Sequence, residues 1–281
     1  MLNSKDKVAI YMESNLDSDY GKMGMGVIRY LSNQITCVID SNHAGKRIKS
    51  FINTDRKIPI VRSLEIAIER KSTVLVLGIA PSGGKIPKEW TPIIEKALKN
   101  GLSIVNGLHE LLFPKWKDLI KINKNQWIWD VRMPLFVPDI ATGKAGKLKN
   151  KRILFIGTDM AVGKMTAALE IYSFLNNKRK NVGFVATGQI GITLTGKGIP
   201  LDAFKVDHAC GAVETAVLEN SKKEIVLIEG QGSLLHPGST ATLPLMRGSC
   251  PTHLILCHRA NKKTLRSPKN IKIPDLKEFI Y

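Results

Sequence analysis

Short apolar runs alternate with longer mixed segments along the first half of the chain. Residues 73–79 form a continuous apolar run, which is typical of a strand buried on both faces. Residues 90–99 predict a helix closed by Gly101, because glycine favours the left-handed conformation that ends many helices. Strands that alternate with helices predict a parallel sheet with right-handed crossovers. The other predicted strands are 8–12, 36–40 and 103–106, and the other predicted helices are 20–32 and 64–69.

The alternation breaks at residues 126–147, where prolines and glycines interrupt it. A chain of 281 residues is too long for one ordinary core, since domains usually hold roughly 100–200 residues. We therefore predict a linker there and two domains, residues 1–143 and residues 144–281. The second domain resumes the α/β pattern with predicted strands 151–156, 182–186, 225–228 and 254–257 and a predicted helix 167–176.

The composition is that of an ordinary globular protein, with 43% hydrophobic and 23% charged residues. No apolar run reaches the roughly 20 residues that cross a bilayer, and the N-terminus has no signal-peptide apolar core. We therefore expect a cytoplasmic protein without a membrane partner. The four cysteines, Cys37, Cys210, Cys250 and Cys257, show neither a C-x-x-C pair nor a metal-site spacing with histidine. We expect reduced cysteines and no bound metal, and a nucleophilic Cys210 or Cys257 stays open.

The net charge of +18 is the unusual feature of the composition. A basic protein binds nucleic acid when its cations lie along the path of the phosphates. Here the lysines are scattered along the sequence, and aromatic residues make up only 6%, so no basic segment is interleaved with stacking rings. We expect a lysine-rich surface that aids solubility and attracts anionic ligands, and no specific nucleic-acid partner.

A glycine-rich phosphate loop lies between a predicted strand and a predicted helix at residues 157–166. Gly163 lets the backbone curl so that N–H groups point inward, and Lys164 places an ammonium beside the phosphates at the helix N-terminus. We expect Lys164 to be exposed at this loop. The residues predicted to bind a nucleotide-type cofactor are Gly157, Thr158, Asp159, Val162, Gly163, Lys164, Met165 and Thr166, with Gln189 from the end of another strand.

This loop departs from the G-x-x-x-x-G-K-[ST] pattern in two places. Gly157 lies one residue early, and Met165 stands where a hydroxyl normally binds Mg²⁺, with Thr166 following it. A shift of one residue rotates a side chain by about 100° around the helix axis. Either the loop shifts its register or magnesium is not held here in the usual way, which weakens the case for magnesium-dependent ATP chemistry.

Residues 224–232 form a second candidate region, in which a buried strand delivers Glu229 at its carboxyl end. Open α/β sheets bind ligands at that end of their strands. Glu229 is predicted to be catalytic, either by holding a cation or by accepting a proton from an attacking amine. A structural acid that caps the turn is the alternative. His236, which follows the same strand, and Asp159, inside the loop, are further predicted catalytic residues.

Three more residues are predicted to bind substrate at the same edge of the sheet. Glu214 follows small residues that allow close backbone approach. Arg247 and Ser249, in an Arg-Gly-Ser sequence, are predicted to clamp a carboxylate or phosphate.

These motifs resemble two known families. Residues 157–164 and Glu229-Gly resemble dethiobiotin synthetase, a P-loop enzyme that uses ATP. The closer resemblance, over nearly the whole chain, is to a two-domain P-loop family of formerly unknown function that includes D-glutamate N-acetyltransferases. It rests on residues 22–30, 40–46, 78–84, 106–109 and 130–132 in the first domain and on residues 157–166, 211–214, 229–233, 236–238 and 248–251 in the second.

The resemblance implies an α/β fold in which a Rossmann-like N-terminal domain precedes a P-loop NTPase-like parallel-sheet domain. It implies an N-acetyltransferase that moves an acetyl group from acetyl-CoA to a D-amino acid, with D-glutamate as the small-molecule acceptor and the P-loop holding the cofactor phosphates. The alternatives are a ligase or kinase that uses ATP with Mg²⁺, and a nucleotide-binding module without turnover. A homo-oligomer is expected. A C-terminal truncation that removes part of the acceptor pocket is also expected, because family members usually run further.

Overall fold

The computed structural model describes residues 1–121 and 124–280. Two compact units make up the chain: the first is Met1–Met133 with Ile192–Gly196, and the second is Pro134–Gly191 with Lys197–Tyr281. The chain passes from one unit to the other after Met133, and the domain boundary after residue 143 stays a prediction. Within the described residues, no helix has both the length and the apolar character needed to cross a bilayer.

In the described part of the first unit, six parallel strands form one sheet. The strands are β1 (Lys7–Tyr11), β2 (Gln34–Ile39), β3 (Ile60–Val61), β4 (Val74–Leu77), β5 (Ser103–Asn106) and β6 (Ile128–Asp130), and the helices are α1 (Lys22–Tyr30), α2 (Leu64–Glu69), α3 (Thr91–Lys99) and α4 (Phe113–Trp116). Their order across the sheet is β3-β2-β1-β4-β5-β6. This is the strand order of the Rossmann fold, so the Rossmann-like first domain is confirmed.

Two strands of the first unit, β6 and β3, differ from the elements that the sequence predicts. Residues 128–130 fall in the predicted linker, but they form β6, so the predicted linker is wrong there. The carboxylate of Asp130, 6% exposed, accepts hydrogen bonds from the backbone N–H groups of Leu112 and Phe113, and so ties β6 to the start of α4. Strand β3 was not predicted, because two residues are too few to show a periodic pattern.

In the described part of the second unit, four parallel strands form a second sheet, as predicted. The strands are β7 (Lys151–Gly157), β8 (Val182–Val185), β9 (Ile225–Ile228) and β10 (His253–Cys257), and the helices are α5 (Lys164–Asn177), α7 (Val206–Glu219), α8 (Thr242–Ser249) and α9 (Leu276–Ile280). Helix α6 (Gln189–Thr195) begins in this unit, and its residues from Ile192 onward belong to the first unit. The order across the sheet is β10-β7-β9-β8. Leu154 of β7 and Val226 of β9 are fully buried against Val213 of α7, in the core of this unit.

The position of β7 in the second sheet determines where a ligand can bind. β7 lies between β10 and β9. From β7 the chain crosses to β8 beyond β9, and from β9 it crosses back to β10 on the other side of β7. The connections therefore run to opposite sides of β7. Open α/β sheets bind ligands outside the carboxyl ends of their strands, at the place where successive connections run in opposite directions. The loop after Gly157 lies there.

The second sheet has two opposite edges. The carboxyl edge, which follows the strands, consists of residues 157–163, 186–189, 229–239 and 257–258. The amino edge, which precedes them, consists of residues 148–151, 178–181, 220–224 and 249–252. Because a strand rises about 3.3 Å per residue, the length of β7 separates the two edges by about 20 Å. At the amino edge the buried guanidinium of Arg152 donates hydrogen bonds to the backbone carbonyls of Leu148, Asn150, Ser249 and Cys250.

Candidate functional site

The phosphate loop has the backbone geometry that its sequence predicts. β7 ends at Gly157, and α5 begins at Lys164. Ala161 and Gly163 have positive φ angles of 57° and 97°. These angles reverse the direction of the chain after β7, so that α5 begins at the carboxyl edge of the sheet. A Cβ on Gly157 would lie 2.7 Å from Val162 Cγ2 and 3.0 Å from the Lys164 ammonium. A side chain at residue 157 would therefore require Val162 and Lys164 to move from their positions in the loop.

Lys164 is buried, so the expectation that it is exposed was wrong. Its side chain fills space that Gly157 and Gly230 leave open, since a Cβ on Gly230 would lie 2.9 Å from Lys164 Cδ. Only 6% of Lys164 is exposed, and its Nζ donates a hydrogen bond of 3.1 Å to the carbonyl of Asp159. Burial lowers the pKa of Lys164, while Cys257 and Asp159 oppose that shift. In the described part of the chain Lys164 has no ion pair, so the loop contains a desolvated cation that no carboxylate contacts directly.

The first two residues after Gly157 anchor the loop to neighbouring segments. Asp159, 6% exposed, accepts hydrogen bonds from the backbone N–H groups of Met160 at 2.6 Å and Arg266 at 2.8 Å. Thr158 is fully buried, and its hydroxyl lies 3.1 Å from His258 Nδ1. Both carboxylate oxygens of Asp159 are thus used within the chain. The cofactor-binding role of Thr158 and the catalytic and cofactor-binding roles of Asp159 stay predictions.

Glu229 lies directly after β9, at the carboxyl edge, with 1% of its surface exposed. Its Oε2 accepts hydrogen bonds from the backbone N–H groups of Thr187 at 2.8 Å and Gly188 at 3.2 Å. Burial raises the pKa of Glu229 to about 7, and the two backbone hydrogen bonds oppose this shift. A Cβ on Gly191 would overlap Oε2, so glycine is required opposite the carboxylate.

His236 belongs to a loop that is hydrogen-bonded to the phosphate loop. The N–H of Leu234 donates to the carbonyl of Gly157 at 2.9 Å, and the Ser233 hydroxyl donates to the carbonyl of Thr158 at 3.0 Å. His236 is half-buried, and its Nδ1 accepts a hydrogen bond from the N–H of Gly238 at 3.0 Å. The neutral ring therefore carries its proton on Nε2. The structure thus brings the phosphate loop, Glu229 and the His236 loop to one edge.

The other predicted cofactor residues lie at the same edge. Gln189 is the first residue of α6 and is half-buried. Val162 precedes Gly163 in the loop, and Met165 and Thr166 are the second and third residues of α5, all of them half-buried. Their contacts with a cofactor stay predictions.

The three residues predicted to bind substrate, Glu214, Arg247 and Ser249, do not lie beside the phosphate loop. α8 runs from the carboxyl edge back to the amino edge, and the carbonyl of Ser249 accepts a hydrogen bond from Arg152 at the start of β7. The Ser249 hydroxyl is fully buried and donates to Leu245 within its own helix. Arg247 is exposed in the last turn of α8. The expected placement of Arg247 and Ser249 beside the phosphate loop is therefore not observed.

Glu214 is hydrogen-bonded to the segment that precedes β7, and not to the phosphate loop. Its carboxylate accepts hydrogen bonds from the backbone N–H groups of Thr142 at 2.8 Å and Ala145 at 3.3 Å. Burial works against ionisation, but these hydrogen bonds together lower the pKa of Glu214. It holds the turn that leads into the amino end of β7. The role of Glu214, Arg247 and Ser249 in substrate binding stays a prediction.

His258 was not predicted as a site residue, and it lies next to the phosphate loop. β7 and β10 pair in register, with Gly157 opposite Cys257, so the residue after each strand reaches the same edge. His258 is half-buried and contacts the Thr158 hydroxyl across 100 residues of sequence. The available signal was its position directly after a predicted strand. Among the described residues, no group of His, Cys, Asp and Glu side chains is arranged to hold a metal ion.

The fold and the loop define the class of this chain as a P-loop α/β protein with a Rossmann-like first unit. Two family models match it. The model of the DUF1611 C-terminal P-loop domain, a domain of unknown function, matches residues 139–281, and that of the DUF1611 N-terminal Rossmann-like domain matches residues 41–134. The chain belongs to the DUF1611 family.

Similar proteins include one solved structure and two curated relatives. The crystal structure of a DUF1611 family protein from Anabaena variabilis ATCC 29413 has a TM-score of 0.94 and 44% identity, and the match covers 98% of this chain and 81% of that one. Proteins from Pseudoalteromonas sp. and Tritonibacter scottomollicae, both named D-glutamate N-acetyltransferase, are each 38% identical over 73% and 77% of this chain. The chain spans 62% and 65% of the lengths of these two relatives.

Proposed function

We propose that this chain is an N-acetyltransferase that moves an acetyl group from acetyl-CoA to the amino group of a D-amino acid, with D-glutamate as the acceptor. The observation that carries the proposal is the name shared by two relatives that are 38% identical over about three quarters of this chain. Since the chain spans less than two thirds of either relative, its own activity has to be measured.

The chemistry of the phosphate loop fits the phosphates of acetyl-CoA. Lys164 is a buried cation whose one hydrogen-bond partner among the described residues is the carbonyl of Asp159. A buried charge is costly unless it is paired, so an anion beside Lys164 offsets the cost of its burial. The helix that begins at Lys164 contributes its partial positive charge and its free N–H groups. In an acetyl transfer the phosphates serve only for attachment, and the thioether of Met165 is then no disadvantage, because no metal is needed to neutralise a transferring phosphoryl group.

Glu229 is suited to take the proton that the amine must lose. Acetyl-CoA supplies a reactive thioester, and the reaction joins the amine nitrogen to the acetyl carbon, breaks the carbon–sulfur bond and releases the CoA thiol. A carboxylate with a pKa of about 7 is partly ionised at neutral pH and accepts a proton effectively there. His236, with Nδ1 occupied by Gly238, presents an Nε2 proton and is a candidate donor to the acetyl carbonyl oxygen.

An assay with purified protein tests this function. Acetyl-CoA and D-glutamate are mixed with the protein, free thiol is followed with a thiol reagent, and N-acetyl-D-glutamate is identified by mass spectrometry. We expect thiol release that depends on D-glutamate and is much slower with L-glutamate. Thiol release that no D-amino acid accelerates, or turnover of ATP with Mg²⁺ instead, would contradict the proposal.

A further inference from the structure

Ten of the cations that are scattered along the sequence lie on one side of the second unit. We define the basic face as the amino edge of the second sheet together with the turn before it, residues 144–147, and Arg247 at the end of α8. Four lysines come from residues 144–151, three cations from residues 178–180, two lysines from residues 222–223, and one is Arg247. All ten are exposed, whereas the acidic residues exposed among them are Glu219 and Glu224.

This face is held together by hydrogen bonds between its loops. Lys151 N–H donates to the carbonyl of Glu224 at 2.9 Å, and the Asn181 amide donates to the carbonyl of Lys222 at 3.1 Å. The guanidinium of Arg152 joins the loop before β7 to the end of α8. These hydrogen bonds fix the backbone of the loops that carry the cations. Within the described residues, none of the ten forms an ion pair, and two exposed glutamates stand against ten cations, so the face keeps an excess of positive charge.

An exposed aromatic ring borders the basic face. Phe174, in the last turn of α5, is 60% exposed, and Lys178 Nζ lies 5.8 Å from the centre of its ring. Exposed rings next to cations are the elements with which proteins bind single-stranded nucleic acid, because every base has a face that stacks and every nucleotide carries a phosphate. The neighbouring side chains Asn176, Asn177 and Asn181 are exposed amides, which donate hydrogen bonds to phosphate oxygens.

We propose that the basic face, with Phe174, binds single-stranded nucleic acid without sequence specificity. The helices α5, α7 and α8 end at this face, so none of them is presented lengthwise to enter the groove of a duplex. An anionic membrane is the less suitable partner, because peripheral membrane binding combines cations with inserted apolar side chains. Phe174 borders the face, but the loop tips at residues 178–181 and 221–224 expose only polar and charged side chains.

Binding of a fluorescently labelled oligothymidine of about 20 nucleotides, longer than one binding site, tests this proposal by anisotropy. We expect affinity to fall at least about tenfold between roughly 50 and 200 mM salt. The variant Lys178→Gln/Arg179→Gln/Lys180→Gln is expected to reduce the slope of log affinity against log salt by roughly 2, because each lost phosphate contact on a single strand contributes about 0.7. The matched control Lys49→Gln/Lys57→Gln/Lys99→Gln removes the same charge from the first unit and is expected to keep the slope.

The ring provides a second, independent measurement. Phe174→Ala is expected to lower affinity for the oligothymidine by about tenfold while leaving the salt slope unchanged, since stacking is not an ionic contact. Because Phe174 is largely exposed, the fold should persist, and circular dichroism checks it. The absence of binding at low salt, an equal loss in the control variant, or unchanged affinity of Phe174→Ala would each overturn the proposal. Binding to vesicles with anionic lipids, lost in the Lys178 variant, without binding to the oligothymidine would assign the face to a membrane instead.

Discussion

Two buried cations lie at opposite ends of β7, and they differ in how their hydrogen-bonding needs are met. Arg152 is 3% exposed and donates to four backbone carbonyls at the amino edge. Lys164 is 6% exposed and donates to one carbonyl at the carboxyl edge. A buried charge is stable only when enough polar groups surround it. Arg152 is therefore satisfied within the chain, whereas the described part of the chain gives the Lys164 ammonium a single hydrogen-bond acceptor.

This difference suggests that the amino edge of the sheet contributes mainly to stability and the carboxyl edge mainly to ligand binding. The amino edge uses its buried cation to join the segment before β7 to the end of α8. The carboxyl edge leaves its buried cation and a buried carboxyl, Glu229, incompletely compensated, and incomplete compensation at the end of parallel strands is typical of ligand sites. Substitutions at the two edges should accordingly have different consequences.

The largest effect is expected at the amino edge. Arg152→Met removes the donors and leaves several buried carbonyls without partners, at about 1–3 kcal/mol each. We expect a loss of about 4 kcal/mol or more in the free energy of unfolding, measured by urea denaturation. Acetyl-CoA affinity of the folded fraction should be unchanged. A loss below about 1 kcal/mol would mean that Arg152 does not organise this edge.

The next effect concerns pH and Glu229. Its folded pKa of about 7 lies above the unfolded value of 4.5, so the folded state binds the proton more tightly. Stability therefore falls as pH rises from about 4.5 to about 7, by about 3 kcal/mol in total. Glu229→Gln cannot ionise and should lack this component, so its stability relative to wild type should increase over that range. Parallel stability curves for the two proteins would contradict the raised pKa.

Substitution of the carboxylates at the two ends of β9 should have different effects on kcat. If Glu229 accepts the amine proton, Glu229→Gln should lower kcat by about 100-fold or more, with acetyl-CoA affinity altered less. The matched control is Glu224→Gln, which removes a carboxylate from the amino edge of the same strand, where kcat should stay within about twofold. Near-normal kcat in Glu229→Gln would reduce Glu229 to a structural residue.

The cation of the phosphate loop should affect binding rather than folding. Lys164→Met keeps the apolar stem of the side chain but removes the charge, and we expect acetyl-CoA affinity to fall about 30-fold, the value of a charged hydrogen bond of about 2 kcal/mol. Because burial disfavours the ammonium, stability should not decrease. Isothermal titration calorimetry measures the affinity, and Lys178→Met at the amino edge is the control. Equal affinity of Lys164→Met and wild type would exclude the phosphate-binding role.

The smallest effect is expected from removing magnesium. Met165 stands at the position where P-loop ATPases bind Mg²⁺ through a hydroxyl, and a thioether is a poor ligand for this hard cation. Acetyl-CoA binding and acetyl transfer should therefore survive excess EDTA, and Met165→Thr should not create ATPase activity. Activity that chelation abolishes and Mg²⁺ restores would favour the ATP-dependent alternative, with Glu229 and Asp159 as metal ligands.

The sequence by itself was sufficient for the local features of this protein. The phosphate loop was predicted because strand, glycine-rich turn and helix follow one another within a few residues, and Glu229 was predicted because it directly follows a buried apolar run. The parallel character of both sheets followed from the alternation of strands and helices. The family resemblance used the same motifs, and the family is confirmed.

Only the tertiary structure decided which of these features meet. A helix between two parallel strands runs back to the opposite edge, so Ser249 at the end of α8 lies with Arg152, while His258 at the end of the next strand lies with Thr158. The same reversal gathers the cations of residues 178–180 and 222–223 on one face, although the sequence scatters them. Burial of Lys164 likewise depends on Gly230, which is distant in sequence. Periodicity reports which side chains are apolar, but contacts between distant segments depend on how the strands are ordered in the sheet.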